Sequence, residues 1–127
     1  MNEEFFTRYN ADLVTATLNS AAAASDQGIG PAAGEIWQVL AGRVMHDDPA
    51  AHDITFQLIV NAIGYTISYY TAVPTGSERN LYEGGKFFEP LIIRPGDTIN
   101  AHFPVALAAG KIIYWQWVYE VYRGVVT

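Results

Sequence analysis

The sequence predicts an all-β domain, an antiparallel β-sandwich of jelly-roll or immunoglobulin-like type with about seven or eight strands and an extended N-terminal arm. Three observations lead there. Short apolar runs with two-residue alternation recur along the chain. Turn-forming residues separate them at the 8–12-residue spacing of sandwiches and barrels. No long stretch carries the 3.6-residue period of an amphipathic helix.

The elements follow in order. In the N-terminal segment, residues 1–30, "ADLVTATLNS" holds the β-branched residues Val14, Thr15 and Thr17, which favour a strand. "SAAAASDQGIGPAAG" is small and rich in turn residues; its four alanines make barely one helical turn, which is marginal alone. Residues 1–30 are therefore expected to form an extended arm with one short strand, followed by a sandwich domain over residues 31–127. In "EIWQVLAGRVMH" apolar residues occupy both parities, as in a strand buried on both faces. "DITFQLIVN" sets Ile54, Phe56, Leu58 and Val60 on one face. "GYTISYYTAV" sets Tyr65, Ile67, Tyr69, Thr71 and Val73 on one face, and "NAIG" between these two runs predicts a hairpin. "PTGSERNLYEGGK" is a polar loop. Pro90 confines the short strand "FFEPLIIR" to a sheet edge or a strand start. After the turn at Pro95, Gly96 and Asp97 comes "TINAHFPV". "KIIYWQWVYEVY" closes the fold, with Ile113, Trp115, Trp117, Tyr119 and Val121 on one face.

At 127 residues the chain is one domain. Its 13 acidic against 7 basic residues give a net charge of −6, which argues against nucleic-acid binding and against a basic membrane patch. Cysteine is absent, which removes disulfides, thiol nucleophiles and Cys-zinc sites. "MNEEFFTRYN" is acidic and lacks the apolar core of a secretory signal, and no apolar run approaches ~20 residues, so a soluble protein without a cleaved leader is expected.

Candidate chemistry is sparse. "HDDPAAHD", with His46, Asp47, Asp48, His52 and Asp53, is the densest polar cluster, and its residue types suit a divalent metal. The spacing matches neither HExxH nor an EF-hand, so a hairpin loop opened by Asp47, Asp48 and Pro49 is the expectation, without a metal or other cofactor. "PGDTINAHFP" shares its turn with the second motif of the cupins. The HxH pair of the first cupin motif is missing, and His46, His52 and His102 are the only histidines. There is no GxSxG elbow and no GxxxxGK[ST] loop. No catalytic residues are assigned. Pro95, Gly96 and Asp97 are expected to be structural, with Gly96 at the positive φ of a type II turn. Partner-binding candidates are Phe5, Phe6, Tyr9, Leu13 and Val14 in the arm, and Tyr114, Trp115, Trp117 and Tyr119 in the last strand, because Trp and Tyr are frequent interface anchors.

Two motifs carry a resemblance. The opening with Pro31, Ala33, Gly34, Glu35, Trp37 and Val39, and the turn with Leu91 and the run from Pro95 to Ile99, resemble small β-sandwich virion proteins of tailed bacteriophages. The likeness covers residues 31–122. It implies a non-enzymatic capsid cement or decoration protein on the exterior of the virion. Its implied partners are the major capsid protein and further copies of itself, without nucleic acid or membrane. The competing expectation is a carbohydrate- or receptor-binding module of a tail or fibre.

Overall fold

The computed structural model describes residues 11–21, 26–82 and 91–123. Nine strands are present among them: β1 (Ala11–Ala21), β2 (Asp26–Ile29), β3 (Glu35–His46), β4 (His52–Val60), β5 (Ile63–Val73), β6 (Arg79–Asn80), β7 (Leu91–Ile93), β8 (Thr98–His102) and β9 (Ile112–Arg123). All pairings are antiparallel, and they make two sheets. One runs β1-β9-β3-β6, with β7 also pairing with β3; the other runs β2-β8-β4-β5. The fold is an antiparallel β-sandwich.

Successive strands cross between the sheets at every step except β4 to β5 and β6 to β7. With β6 and β7 sharing one position, this is the strand order of a two-sheet jelly roll built from Greek keys. Of the two expected sandwich types the strand order is that of the jelly roll, and with β6 and β7 sharing a position it has eight strand positions, as expected.

The N-terminal segment departs from expectation. It supplies two strands, and both pair with the chain's own sandwich. β1 follows β9 for its whole length, from Ala11 opposite Tyr122 to Ala21 opposite Ile112. β2 closes the edge of the second sheet beside β8. The described part of residues 1–30 is therefore integral to the sheets. The β-branched run bonds to the free edge of β9, which would otherwise leave a long row of backbone groups unpaired.

A bulge explains why β3 reads apolar on both parities. Its pairing with β9 shifts register between Val39 and Ala41. Trp37 and Val39 face the core before the shift, and Gly42, Val44 and His46 after it. The strand is buried on one face, and one extra residue exchanges its parity. Gly42 fits because a β-carbon there would coincide with the Trp117 ring.

The core lies between the sheets. Ile54 and Phe56 of β4 meet Ile113, Trp115 and Trp117 of β9, joined by Leu81, Ile93, Ile99 and Phe103. Phe56 packs edge-to-face on Trp117 (6.0 Å between centroids), and Trp37 stacks on Tyr119 at 3.9 Å. β7 is an edge strand, one of the two placements expected from the sequence. Asn61 and Ala62, at φ of 52° and 64°, form the two-residue turn of the β4–β5 hairpin. Among the described residues no helix is long and apolar enough to cross a membrane.

Candidate functional site

The polar cluster is built at one end of the sandwich. β3 and β4 belong to different sheets, so residues 47–51 cross between sheets; the expected hairpin loop is corrected. His46, at the end of β3, is fully buried. Its Nδ1 accepts the Asp48 backbone N–H (3.1 Å), so its Nε2 carries the proton and donates to the Val73 carbonyl (2.8 Å). His52 Nε2 donates to Asp48 Oδ2 at 2.8 Å, and the same oxygen accepts the Ala108 N–H at 2.8 Å. Asp48 Oδ1 accepts the Ala50 N–H, and Asp47 Oδ1 accepts the Ile112 N–H at 2.7 Å. The Ala108 and Ala50 amides, followed by His52, hold the Asp48 carboxyl down to about 2, against an opposing contribution from burial. The cluster thus joins the β3–β4 crossing, the end of β5 and the β8–β9 loop. Among the described residues no group of three or more His, Asp or Glu is arranged to hold a metal ion.

The Pro-Gly-Asp turn is also held locally. The Asp97 N–H donates to the Arg94 carbonyl at 3.0 Å, and Gly96 has φ +92°. Gly30 approaches the Asp97 carbonyl so closely that no β-carbon would fit between them. In the opening motif, Glu35 Oε1 accepts the Ala32 N–H (3.2 Å) and the Trp37 indole N–H (3.1 Å), while its other oxygen pairs with Arg123 at 3.5 Å. His102 ends β8 between Thr55 and Asp26.

The partner-binding candidates separate. Trp115 and Trp117 are 1% exposed and Tyr119 is 7% exposed, so these three form the core and not a binding surface. Of the β9 candidates, Tyr114 alone reaches the outside. It lines a cleft of about 180 Å³ with Arg43, Met45, Glu78 and Gln116. Val14 pairs with Tyr119 and packs against the core. Leu13 is placed by its backbone, opposite Glu120. Phe5, Phe6 and Tyr9 lie outside the described residues.

The apolar surface that sequence reasoning missed is on β5, the end strand of its sheet. Ile63, Tyr65 and Tyr69 are each at least half exposed. Pairing with β4 shifts register twice, between His52 and Ile54 and between Phe56 and Gln57. Ser68 turns inward and donates to the Leu81 carbonyl at 2.9 Å. Asp53 braces the strand from outside, accepting from Tyr69 Oη (3.0 Å) and from the Ala72 N–H (2.8 Å) where φ is +50°. The run read as one apolar face in residues 64–73 is split by the register shift: Tyr65 lies opposite Leu58 and Tyr69 opposite Thr55, so the two point to different sides of the sheet, and both are exposed. The signal available in the sequence was the absence of any charge between Ile63 and Val73.

No protein-family model and no curated protein matches the chain. A solved chain from the Bacillus endospore appendages, described as a family of disulfide-linked pili, aligns with 90% of this chain and 88% of its own length. Its TM-score is 0.48 and its identity 16%, and at that level the likeness carries no functional argument.

Proposed function

We propose that this chain is a non-enzymatic structural protein of a phage particle, a capsid cement or decoration protein that bridges neighbouring subunits of the shell. The observation that carries the reading is β5: a long sheet edge without charge, with Ile63, Tyr65 and Tyr69 half exposed. A long uncharged sheet edge with exposed apolar side chains is a surface suited to protein contact. The mechanism is mechanical. Each contact buries apolar area worth about 25 cal/mol per Å², and the symmetry of a shell repeats it. The polar cluster and the Pro-Gly-Asp turn support the reading because the cluster's side chains and the turn's backbone bond hold loops of the sandwich. On this reading the protein is located on the virion exterior, its partners are the major capsid protein and copies of itself, and no cofactor takes part.

The alternative, a carbohydrate- or receptor-binding module, is favoured by the Tyr114 cleft, where an aromatic ring adjoins an amide and a charged pair. Co-sedimentation separates the two. Purified chain mixed with assembled shells of the major capsid protein is expected to pellet saturably and to raise the temperature at which the shells fall apart. Absence from the pellet, with retention on a glycan array, overturns the cement reading in favour of the module.

A further inference from the structure

We infer that the outer face of the first sheet binds a neutral saccharide and takes two consecutive sugar units of a chain. The inference rests on the second functional reading. It deepens that reading by adding a further cleft beside the Tyr114 cleft and by naming the ligand. The face belongs to a different sheet from β5, so it leaves the β5 edge free for protein contact.

Antiparallel register builds the site in rows across β9 and β3. Tyr114 lies beside Met45, Gln116 beside Arg43, and Val118 beside Ala41. These side chains face away from the core, because they alternate with the buried Trp115, Trp117, Val44 and Gly42. Asn80 of β6 lies opposite Arg43 and extends the middle row. Successive rows are two strand residues apart, about 7 Å. The Tyr114 cleft is lined by the first and middle rows. A second cleft, of about 320 Å³, is lined by the middle and last rows and by Asn80. Arg43 and Gln116 line both clefts, so one row of side chains serves two neighbouring positions.

The lining selects an uncharged ligand rich in hydroxyls. Arg43 pairs with Glu78 at 3.4 Å, so an ionic ligand meets each charge already opposed. The net charge of −6 further disfavours an anion. The side-chain amides of Gln116 and Asn80 and the Tyr114 hydroxyl take no hydrogen-bond partner among the described residues. An amide offers donors and an acceptor together, and a hydroxyl, which donates and accepts at once, satisfies both. The Tyr114 ring, Met45, Val118 and Ala41 supply apolar surface for the C–H face of a sugar ring. A peptide matches less well. β3 and β9 are each paired on both sides, which leaves no backbone edge here for strand addition. A wholly apolar ligand matches less well too, because it would strip water from the amides and the ion pair without replacing it.

The test is a broad glycan array probed with the full chain and carrying maltotetraose, cellotetraose, chitotetraose and the acidic tetragalacturonate. Calorimetry follows on the neutral tetrasaccharide retained best. Neutral glycans are expected to be retained and tetragalacturonate to be ignored, and added salt is expected to leave the affinity unchanged. Tyr114→Ala is expected to weaken binding at least about tenfold. Asn80 lines only the second cleft. Asn80→Ala is therefore expected to weaken the tetrasaccharide about three- to tenfold and to leave the matching monosaccharide unchanged. Asn80 is exposed, so its variant keeps the fold even where Tyr114→Ala does not, and circular dichroism verifies both. An array that retains nothing overturns the inference and the module reading together. Retention of acidic glycans alone overturns the inference and leaves the module reading standing. Neutral glycans that bind both variants like the parent overturn it by placing the site elsewhere. Binding that Tyr114→Ala weakens and Asn80→Ala does not overturns the two-unit site.

Discussion

His52 Nε2 and Asp48 Oδ2 lie 2.8 Å apart at the end of the sandwich, each side chain only 5% exposed. The pair closes a cluster that sequence spacing alone leaves open to a metal-site reading. Asp48 Oδ2 already accepts two N–H groups and Oδ1 a third, so the carboxylate acts as a staple for backbone and ring.

The staple has an acid limit. The folded state holds the Asp48 carboxyl at about 2, below its usual 3.8, so the folded form binds the proton less tightly than the unfolded one. The stabilisation is complete above pH ~4 and is lost as pH falls toward 2. Asp48→Asn replaces one acceptor oxygen by an amide that faces other donors. The variant is expected to melt at lower temperature at pH 7 and to show a flatter acid limb between pH 4 and 2. Melts across that range that superimpose for the two proteins would refute the assignment.

The β4–β5 hairpin contains a removable strain. Ala62 has φ +64°, a left-handed conformation that costs a residue with a β-carbon roughly 1–2 kcal/mol. Glycine there completes the Asn-Gly pair favoured by two-residue hairpin turns. Ala62→Gly is expected to stabilise the domain by about 1 kcal/mol net of the glycine's greater unfolded-state entropy. Urea titration measures it; a midpoint that falls shows that the turn does not hold Ala62 left-handed.

What could be read in advance depended on whether one rule governed a whole strand. β9 is regular, and its alternation placed Ile113, Trp115, Trp117, Tyr119 and Val121 together on the buried face. Trp115, Trp117 and Tyr119 are also partner candidates by sequence, because sequence does not say which aromatic face meets the opposite sheet. β3 and β5 misled for a different reason: a bulge exchanges inward and outward positions, and no residue type announces it. β1 was read as a short strand in a separate arm because its partner, β9, lies about a hundred residues away in sequence. Local propensity does not report a pairing that distant. The polar cluster was visible as composition, but its role depends on Val73, Ala108 and Ile112, which are contributed by remote parts of the chain.

The turn at Pro95, Gly96 and Asp97 was legible because its rule is local, and it separates a structural role from a chemical one. Gly96 has φ +92° with no other atom within 4 Å of where a β-carbon would stand. The obstacle to a side chain there is the backbone conformation itself and not crowding. Gly96→Val is expected to cost at least roughly 1–2 kcal/mol, because a β-branched residue tolerates that region worst. Asp97 makes a long contact, 3.4 Å from the Arg94 N–H to its Oδ2, while its own N–H closes the turn on the Arg94 carbonyl. An amide oxygen accepts as the carboxylate does, so Asp97→Asn is expected to shift stability by less than about 0.5 kcal/mol. Thermal melts and shell co-sedimentation of both variants decide the matter. A structural turn gives a destabilised Gly96→Val, and an Asp97→Asn that melts and pellets like the parent. An Asp97→Asn that keeps its melting temperature but no longer pellets would mean that the carboxylate itself contacts the partner.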